Sequence, residues 1–428
     1  MEISAQHEAM EGIIETDIYL PPAQESPKNI LNILNDDCIQ AVLLKLDNML
    51  DFLHAAEVCT RFEKNAQMRF PFKNVSLSSG KEGRIFYKWN EKNSPSMEYA
   101  EKFFGTFGRF VKSVRYFYYG CNGKKMSEEI SLIHKYCGKT LVKLSIDVYL
   151  SYPLSLQFEA LEELVLDNTV PVTSANLFPK LKKLSLRGGR SILRDDMDWV
   201  ANEFPHLKKV EFMDVAKLTN DIFIEFQKRN PQLENLCLWN RNRSKLSFTS
   251  RKVWQGIGKR LPNLVSLYLD NIEMDKNILE LCTLRKLREI NISPVVKSQK
   301  PLFDSFVKNN VPIEKLCIKR LDIETAKSVQ KMKLIEHLTI YGASEQTVIS
   351  TVKQLPALDY LSLMWIKDGS PRMVKKILQH CKNLTELIIV LEELCTIDAD
   401  EYNSIVKLAE NRCKVTLDMS NWVVIKKN

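Results

Sequence analysis

The stretch Pro231-Gln-Leu233-Glu-Asn-Leu236-Cys-Leu238 carries the pattern that decides how this chain folds. Its template, Leu-x-x-Leu-x-Leu with Ile, Val or Phe allowed, recurs in steps of 20 to 31 residues. The template begins at Leu141, Leu161, Leu181, Leu207, Leu233, Leu264, Leu287, Ile313, Ile335, Leu358 and Leu384. A recurring period of this length indicates repeats that stack into one elongated core, so the 428 residues do not divide into several globular domains.

Proline separates this repeat from a chance arrangement of leucines. Five of the eleven units are entered through Pro-x-Leu, at Pro179, Pro205, Pro231, Pro262 and Pro356. With 16 prolines in the chain, about 0.4 such coincidences would arise by chance, so the five mark a true internal repeat.

The repeat predicts an α/β fold, a right-handed solenoid with parallel strands on its concave face and helices on its convex face. In each short strand the template's apolar residues point into the core and the intervening residues point outward. Stretches between strands, such as 221–229 and 372–378, have the spacing of amphipathic helices, and a following proline ends such a helix before the next strand. We assign residues 141–428 to this array, including a C-terminal cap around Val415-x-Leu417.

Residues 71–140 are assigned to degenerate first repeats. Phe72-x-x-Val75-x-Leu77 and Val111-x-x-Val114-x-Tyr116 fit the template, and an aromatic and basic insertion lies between them. The insertion begins with Arg84-Ile-Phe-Tyr-Lys-Trp89 and continues to Phe110. We expect it to cover the exposed edge that precedes the first full repeat.

The first 29 residues have a different composition. They hold six acidic residues and one basic residue, Lys28, and three prolines interrupt any helix that might start. Such a segment is expected to form a flexible acidic tail.

Residues 30–70 predict a module of three short helices. Asn35 is placed to cap the first helix, whose apolar residues recur at helical spacing from Ile39. The second helix contains Phe52, and Thr60 is a candidate cap for a third helix that ends before Pro71. Three helices in so few residues bury little surface alone, so a partner or an adjoining solenoid is expected to complete their core.

Two motifs in this module resemble the F-box family. Leu34-Asn-Asp-Asp37 matches the opening of an F-box apart from its proline, and Val58-Cys-x-x-Phe62 matches the closing Val-Cys-x-x-Trp or Phe signature. Together with the leucine-patterned repeat, they resemble the F-box and leucine-rich-repeat family. That resemblance implies a non-catalytic substrate receptor, whose F-box docks on the Skp adaptor of a cullin-RING ubiquitin ligase while its repeats bind a protein substrate. The residues expected to bind the adaptor are Leu34, Asn35, Ile39, Val42, Leu43, Val58, Cys59 and Phe62.

The outward strand positions carry mixed charge and two apolar groups. From Leu141 onward they hold seven basic and eight acidic residues, whereas a groove for nucleic acid needs one sign of charge. Aromatic residues favour strands in general, but outward apolar residues on successive units also form patches of the kind that anchors protein interfaces. The residues expected to bind substrate are Met213, Trp239, Tyr268, Tyr341, Tyr360, Met364 and Ile388.

Composition limits the classes of function. No apolar run approaches the ~20 residues of a membrane span, and no basic start precedes an apolar stretch, so a cytoplasmic or nuclear protein is expected. The ten cysteines include no Cys-x-x-Cys pair and the six histidines lie apart from them, so we predict buried thiols and no metal site. Glycine is scarce, no phosphate-binding loop occurs, and neither enzymatic activity nor a cofactor is expected.

Two alternatives stay open. The first is a repeat scaffold for protein interactions that uses its helical module without recruiting a ligase, or only as a helical cap on the array. The second and weaker one is a basic surface for RNA on the convex or lateral side, carried by Arg241, Arg243, Lys245, Arg251 and Lys252.

Overall fold

The structure, a computed structural model, forms two compact units, residues 1–71 and residues 72–428. It describes residues 33–46, 49–70, 74–79, 85–87, 97–118, 123–147, 154–167, 172–188, 197–215, 218–240, 251–271, 276–293, 299–391, 395–409, 413–417 and 422–425.

The first unit contains the three short helices that the sequence predicts. They are α1 (Asp36–Leu43), α2 (Met49–Glu57) and α3 (Thr60–Met68). The Asn35 side chain caps α1 by accepting a hydrogen bond of 2.8 Å from the Cys38 backbone N–H, which confirms its predicted role. The prediction for α3 is wrong by one residue, because Cys59 occupies the cap position without a side-chain hydrogen bond and Thr60 is already helical. The core of this unit consists of Ile39, Leu43, Phe52, Leu53, Ala56, Phe62, Ala66 and Phe70.

The second unit contains a long sheet of 15 strands. Fourteen of them run parallel, and two further strands near the C-terminal end pair only with each other. The strands are β1 (Asn74–Ser79), β2 (Ile85–Tyr87), β3 (Ser113–Tyr118), β4 (Lys143–Asp147), β5 (Glu163–Asp167), β6 (Lys183–Arg187), β7 (Lys209–Met213), β8 (Asn235–Trp239), β9 (Ser266–Asp270), β10 (Glu289–Ser293), β11 (Lys315–Lys319), β12 (His337–Tyr341), β13 (Tyr360–Ile366), β14 (Glu386–Leu391), β15 (Cys395–Asp398), β16 (Lys414–Leu417) and β17 (Trp422–Ile425). Apart from β2, each strand of this sheet pairs with strands from adjacent repeats in chain order, which gives a parallel α/β solenoid of leucine-rich repeats.

The template residues form the core of this solenoid. All eleven template-initiating residues are at most 1% exposed, from Leu141 to Leu384. The two apolar strand residues of each full unit, such as Leu236 and Leu238, are buried as well. Each such side chain contributes roughly 1.5 to 3 kcal/mol of burial, and the stacked units share one core.

In the second unit, helices connect many of the successive strands and cover one face of the long sheet. They are α4 (Met97–Phe107), α5 (Gly123–Cys137), α6 (Asn220–Arg229), α7 (Arg251–Trp254), α8 (Ile257–Arg260), α9 (Lys300–Lys308), α10 (Ile323–Val329), α11 (Glu345–Val352), α12 (Pro371–His380) and α13 (Ala399–Ala409). As predicted, α6, α8 and α11 end shortly before Pro231, Pro262 and Pro356.

The expectation of an amphipathic helix in every repeat is wrong for the early units. The described residues between β5 and β6 contain only the 3-10 turn Ala175–Leu177, and those between β6 and β7 contain the 3-10 turn Asp198–Ala201. The unit from Leu161 to Leu181 spans 20 residues, which leaves too little chain for a strand, two turns and a full helix.

The insertion in the degenerate repeats contributes a strand to the edge of the sheet. Within it, β2 pairs antiparallel with β1, and α4 buries Phe103, Phe104 and Phe107. The edge of β1 is thereby covered by a strand of opposite direction.

Candidate protein-interaction surfaces

The two F-box-like motifs of the helical module are joined by a polar network. Arg61 Nε donates to Asp36 Oδ1 at 2.7 Å, and Asn65 Nδ2 donates to the same oxygen at 3.1 Å. These hydrogen bonds, that from Arg61 first, hold the pKa of the Asp36 carboxyl below its ordinary value. The network connects the start of α1 with the first turns of α3, and so places the Leu34–Asp37 motif beside the Val58–Phe62 motif.

The structure divides the predicted adaptor-binding residues into core and surface. Ile39, Leu43 and Phe62 are buried in the module itself, so they support its fold and do not offer a contact surface. Leu34 and Cys59 are half-buried, and Asn35 is exposed. Val42 and Val58 are 51% and 54% exposed. Among the described residues of the module, the large exposed apolar side chains are Ile33, Val42, Leu44, Val58 and Met68.

The face of the long sheet opposite the helices, here called the sheet face, begins with a ladder of ion pairs. Glu163 accepts from Lys143 at 3.0 Å and from Lys183 at 2.9 Å. Lys183 also lies 3.9 Å from Glu211, which pairs with Lys209 at 2.9 Å. Each of the two carboxylates lies near two lysines, so the charges of this region compensate one another.

The ladder lowers the pKa values of two of its carboxyl groups. Burial alone would raise the pKa of Glu163, but hydrogen bonds from Lys183 and Lys143 outweigh it, and the pKa lies below its ordinary value. The pKa of Glu211 is lowered in the same way, with burial opposed by Lys209 and by the charge of Lys183. The small outward residues Ser145, Val165 and Ser185 are buried on this part of the face, which sequence analysis did not anticipate. Long paired side chains flank them in the same strands.

The first apolar group predicted to bind substrate is arranged in two rows. Met213 and Trp239 are register partners on β7 and β8, but the partner of Trp239 on β9 is Asp270. Tyr268 pairs with Cys237 instead, so it lies one row away from Trp239. The structure therefore brings Met213 and Trp239 side by side and places Tyr268 diagonally to them.

The second apolar group is more continuous. Tyr341, Met364 and Val390 are register partners across β12, β13 and β14. Tyr360 stacks on the His337 ring with centroids 5.4 Å apart. Ile388 is the partner of Ser362 and lies between the row of Tyr341 and the row of Tyr360.

A shallow groove of about 410 Å³ lies along the sheet face from β7 to β13 and includes Tyr268 and Tyr360. Burial raises the pKa of Cys237 to about 12 and that of Cys317 to about 11, so both groove thiols stay protonated and poorly nucleophilic at neutral pH. Among the cysteines whose burial the structure describes, Cys137, Cys381 and Cys413 are buried as expected. The expectation is wrong for Cys38, which is exposed, and for those at half-exposed positions such as Cys237, an outward strand position.

Trp365 is the residue that sequence analysis missed. It directly follows Met364, at the place where other repeats carry Gly188, Asp214 or Asn271, and its side chain is 55% exposed. A bulky aromatic residue at a position that holds glycine, aspartate or asparagine in several other repeats is the signal that could have found it.

Two further findings concern only the described part of the chain. There, no helix has the length and hydrophobicity needed to cross a bilayer, and no three His, Cys, Asp or Glu side chains are grouped as metal ligands would be. Of the basic residues proposed for RNA, Arg241, Arg243 and Lys245 lie outside the described residues.

No protein-family model and no curated protein matches this chain. Among solved structures, it is similar to an internalin from Listeria monocytogenes, with 12% identity, coverage of 91% of this chain and 92% of the other, and a TM-score of 0.37. It is also similar to a leucine-rich-repeat protein from Leptospira interrogans, with 15% identity, coverage of 86% and 98%, and a TM-score of 0.29. A protein from Bacteroides fragilis gives 13% identity, coverage of 74% and 68%, and a TM-score of 0.25. These TM-scores are low, so the fold assignment rests on the chain's own repeats and strand order.

Proposed function

We propose that this chain is a non-catalytic adaptor that holds two proteins at once. The helical module recruits a Skp-type adaptor of a cullin-RING ubiquitin ligase, and the sheet face holds a protein substrate. Ubiquitin transfer then belongs to other subunits, and this chain contributes proximity. No cofactor is needed for this role.

The observation that carries the proposal is the exposure of Val42 and Val58 beside two motifs that resemble an F-box. The module has a formed core, so its exposed apolar residues are not needed to complete that core. Val42 lies on α1 and Val58 in the turn between α2 and α3, and exposed apolar side chains of this kind are suited to a preformed groove of a partner, where their burial supplies the binding energy.

The proposal that this chain also binds a protein substrate is based on the residues of the sheet face. Four aromatic residues, Trp239, Tyr268, Tyr341 and Tyr360, point outward from four strands, and aromatic side chains concentrate the energy of protein interfaces. The charge ladder of β4 to β7 is internally compensated, which favours a protein partner over the one-signed contact that nucleic acid requires.

The test uses the purified full chain and a recombinant Skp-type adaptor in a pull-down. Val42→Asp combined with Val58→Asp strands two charges in the proposed interface, so we expect a loss of several kcal/mol and no retained adaptor. Because both side chains are more than half exposed, the variant should fold normally. The matched control is Val406→Asp on α13, where a valine of similar exposure lies far along the chain from the module.

Two outcomes contradict the proposal. Either the wild-type chain binds no adaptor in purified form, or the double variant binds it as tightly as the wild type. In both cases the chain would be a repeat scaffold without ligase coupling.

A further inference from the structure

The turn that follows each strand has an unusual backbone in several repeats. The residue after the fifth strand position has a left-handed conformation at Asp214, Asn271, Arg320, Gly342 and Trp365, with φ between 52° and 66°. Its N–H continues the hydrogen bonding of the sheet, as where Gly342 donates to the Met364 carbonyl at 2.9 Å. Glycine, asparagine and aspartate adopt this conformation readily, whereas Arg320 and Trp365 do so at a cost in backbone strain.

Trp365 also lies in a β-bulge of β13. Met364 pairs with Val390 and Ile366 pairs with Leu391, so Trp365 is the extra residue between them. Bulges redirect side chains, and here the indole is 55% exposed with its ring centroid 5.4 Å from that of Tyr341. Strained positions of this kind concentrate at functional sites, because folding alone would favour a smaller residue.

Arg320 and Trp365 line the same depression, which we call the turn groove. It encloses about 1160 Å³ at the ends of β11, β12 and β13, and its apolar lining includes Ile323 and Tyr341. Ile323 is 64% exposed. Pockets for small molecules usually measure ~300 to 1,000 Å³ and are largely enclosed, so an open groove of this size fits a segment of polypeptide better.

The charges of the turn groove favour an acidic occupant. Among its lining residues, Lys319 is paired with Asp270 at 3.0 Å and Glu324 with Lys327 at 2.6 Å. Asp322 is engaged as the cap of α10, where it accepts from the Thr325 N–H at 2.8 Å. Within the described residues, this leaves two exposed lining cations without an ion pair, Arg320 and Lys367. Asp368 follows Lys367 in the chain and is exposed, but it does not line the groove.

We infer that the turn groove binds a short acidic peptide segment of a partner protein, with an apolar side chain of the peptide against Trp365, Tyr341 and Ile323 and its carboxylates on Arg320 and Lys367. This inference rests on the proposed substrate-binding role of the repeats and gives that substrate a chemical class. A carboxylate pairs well with an arginine fork, and an exposed indole offers a large apolar surface at little entropic cost.

The test measures fluorescence anisotropy of labelled peptides with the full chain. One peptide has a central leucine–phenylalanine pair flanked by glutamates, and its twin has lysines in place of the glutamates. We expect the acidic peptide to bind and its affinity to fall with added salt, while the lysine twin does not bind.

Trp365→Gly separates binding from folding. We expect it to weaken binding of the acidic peptide about thirtyfold, as loss of an aromatic anchor does. The melting temperature should stay unchanged or rise, because glycine suits the left-handed backbone. The double variant Arg320→Glu with Lys367→Glu should abolish binding of the acidic peptide. The controls are Leu334→Ala and Lys353→Glu, which change exposed residues outside the groove lining and should leave binding intact.

Equal binding of both peptides, binding of neither, or full binding by Trp365→Gly would overturn the inference. This experiment does not test the proposed ligase coupling, which is measured separately as retention of the Skp-type adaptor. A chain that retains that adaptor but binds no acidic peptide refutes the turn groove alone. A chain that binds the peptide but no adaptor refutes the ligase coupling alone.

Discussion

Two parts of the sheet face use their outward positions in opposite ways. On β4 to β7, eight of the twelve outward side chains are charged and none is aromatic. On β8 to β14, five of twenty-one are charged, and Trp239, Tyr268, Tyr341 and Tyr360 are among the rest. We call these parts the charged half and the aromatic half.

The difference shows how one repeat can serve two purposes. In the charged half, neighbouring side chains satisfy each other, which leaves little binding energy for a partner. In the aromatic half, large side chains face solvent partly uncovered, and their burial would stabilise a complex. The framework of buried leucines is the same in both halves, so we attribute the proposed difference in binding to the outward residues.

The largest effect is expected at the charged pair within the aromatic half. Asp270 is 5% exposed, and Lys319 Nζ lies 3.0 Å from its Oδ1. Lys319→Met leaves a buried carboxylate without its counter-ion, so we expect the free energy of unfolding to fall by about 3 kcal/mol in urea denaturation. Adding Asp270→Asn should restore most of the loss.

The matched control for this pair is Lys315→Met, the same change on the same strand at an exposed position. It should cost little. If Lys315→Met and Lys319→Met destabilised the chain equally, the pair would have no special role.

The next effect concerns substrate binding by the aromatic half. We expect Trp239→Ala with Tyr268→Ala to weaken substrate binding by about 2 kcal/mol, because interface energy concentrates in aromatic anchors. Quantitative pull-down of proteins retained by the wild-type chain measures it, and an unchanged melting temperature shows that the fold is intact.

A change in the charged half is the comparison for that experiment. The double variant Lys143→Met with Glu163→Gln removes two half-buried charges of the ladder, and substrate binding should not change. Equal losses from both double variants would contradict the division of the sheet face.

The smallest effect is expected within the ladder itself. Lys183 lies between Glu163 and Glu211, whose pKa values are lowered in the folded state. A lowered carboxyl pKa stabilises the fold above the ordinary value of 4.5, and that contribution is lost as the pH falls through the lowered value. Lys183→Met should therefore cost about 1 kcal/mol at pH 7 and less at about pH 3, which is below the ordinary carboxyl pKa.

Thermal unfolding at both pH values checks this, with Lys353→Met as the control for a lysine outside the ladder. A difference between wild type and Lys183→Met that persists undiminished in acid would mean that the lysine acts through packing and not through charge.

The repeat could be predicted from sequence because its signal is local. Leu233, Leu236 and Leu238 are buried as the template requires, and Pro231 marks the end of α6. Burial of an apolar side chain depends on its position in a strand, and strand position follows from spacing alone.

Row and register could not be predicted in the same way. Trp239 and Tyr268 belong to successive repeats, yet they occupy different rows because one is the fifth and the other the third residue of its strand. The bulge at Trp365 depends on how β13 and β14 pair, which no single repeat encodes. Likewise, helical spacing in the module predicts that Ile39 and Val42 both belong to the apolar face of α1. Only the packing of α1 against α3 decides that Ile39 is buried and Val42 is exposed.

The order of the strands has a consequence for biosynthesis. Along the described sheet, each parallel strand pairs with the parallel strand made just before it, and only the pairings of β1 with β3 and of β14 with β16 pass over an intervening strand. A ribosome that adds ~5 to 20 residues per second would release the 20 to 31 residues of one repeat every few seconds. Each newly emerged repeat can then dock on its finished predecessor, so that the growing polypeptide never needs to wait for its C-terminal end before it buries its leucines.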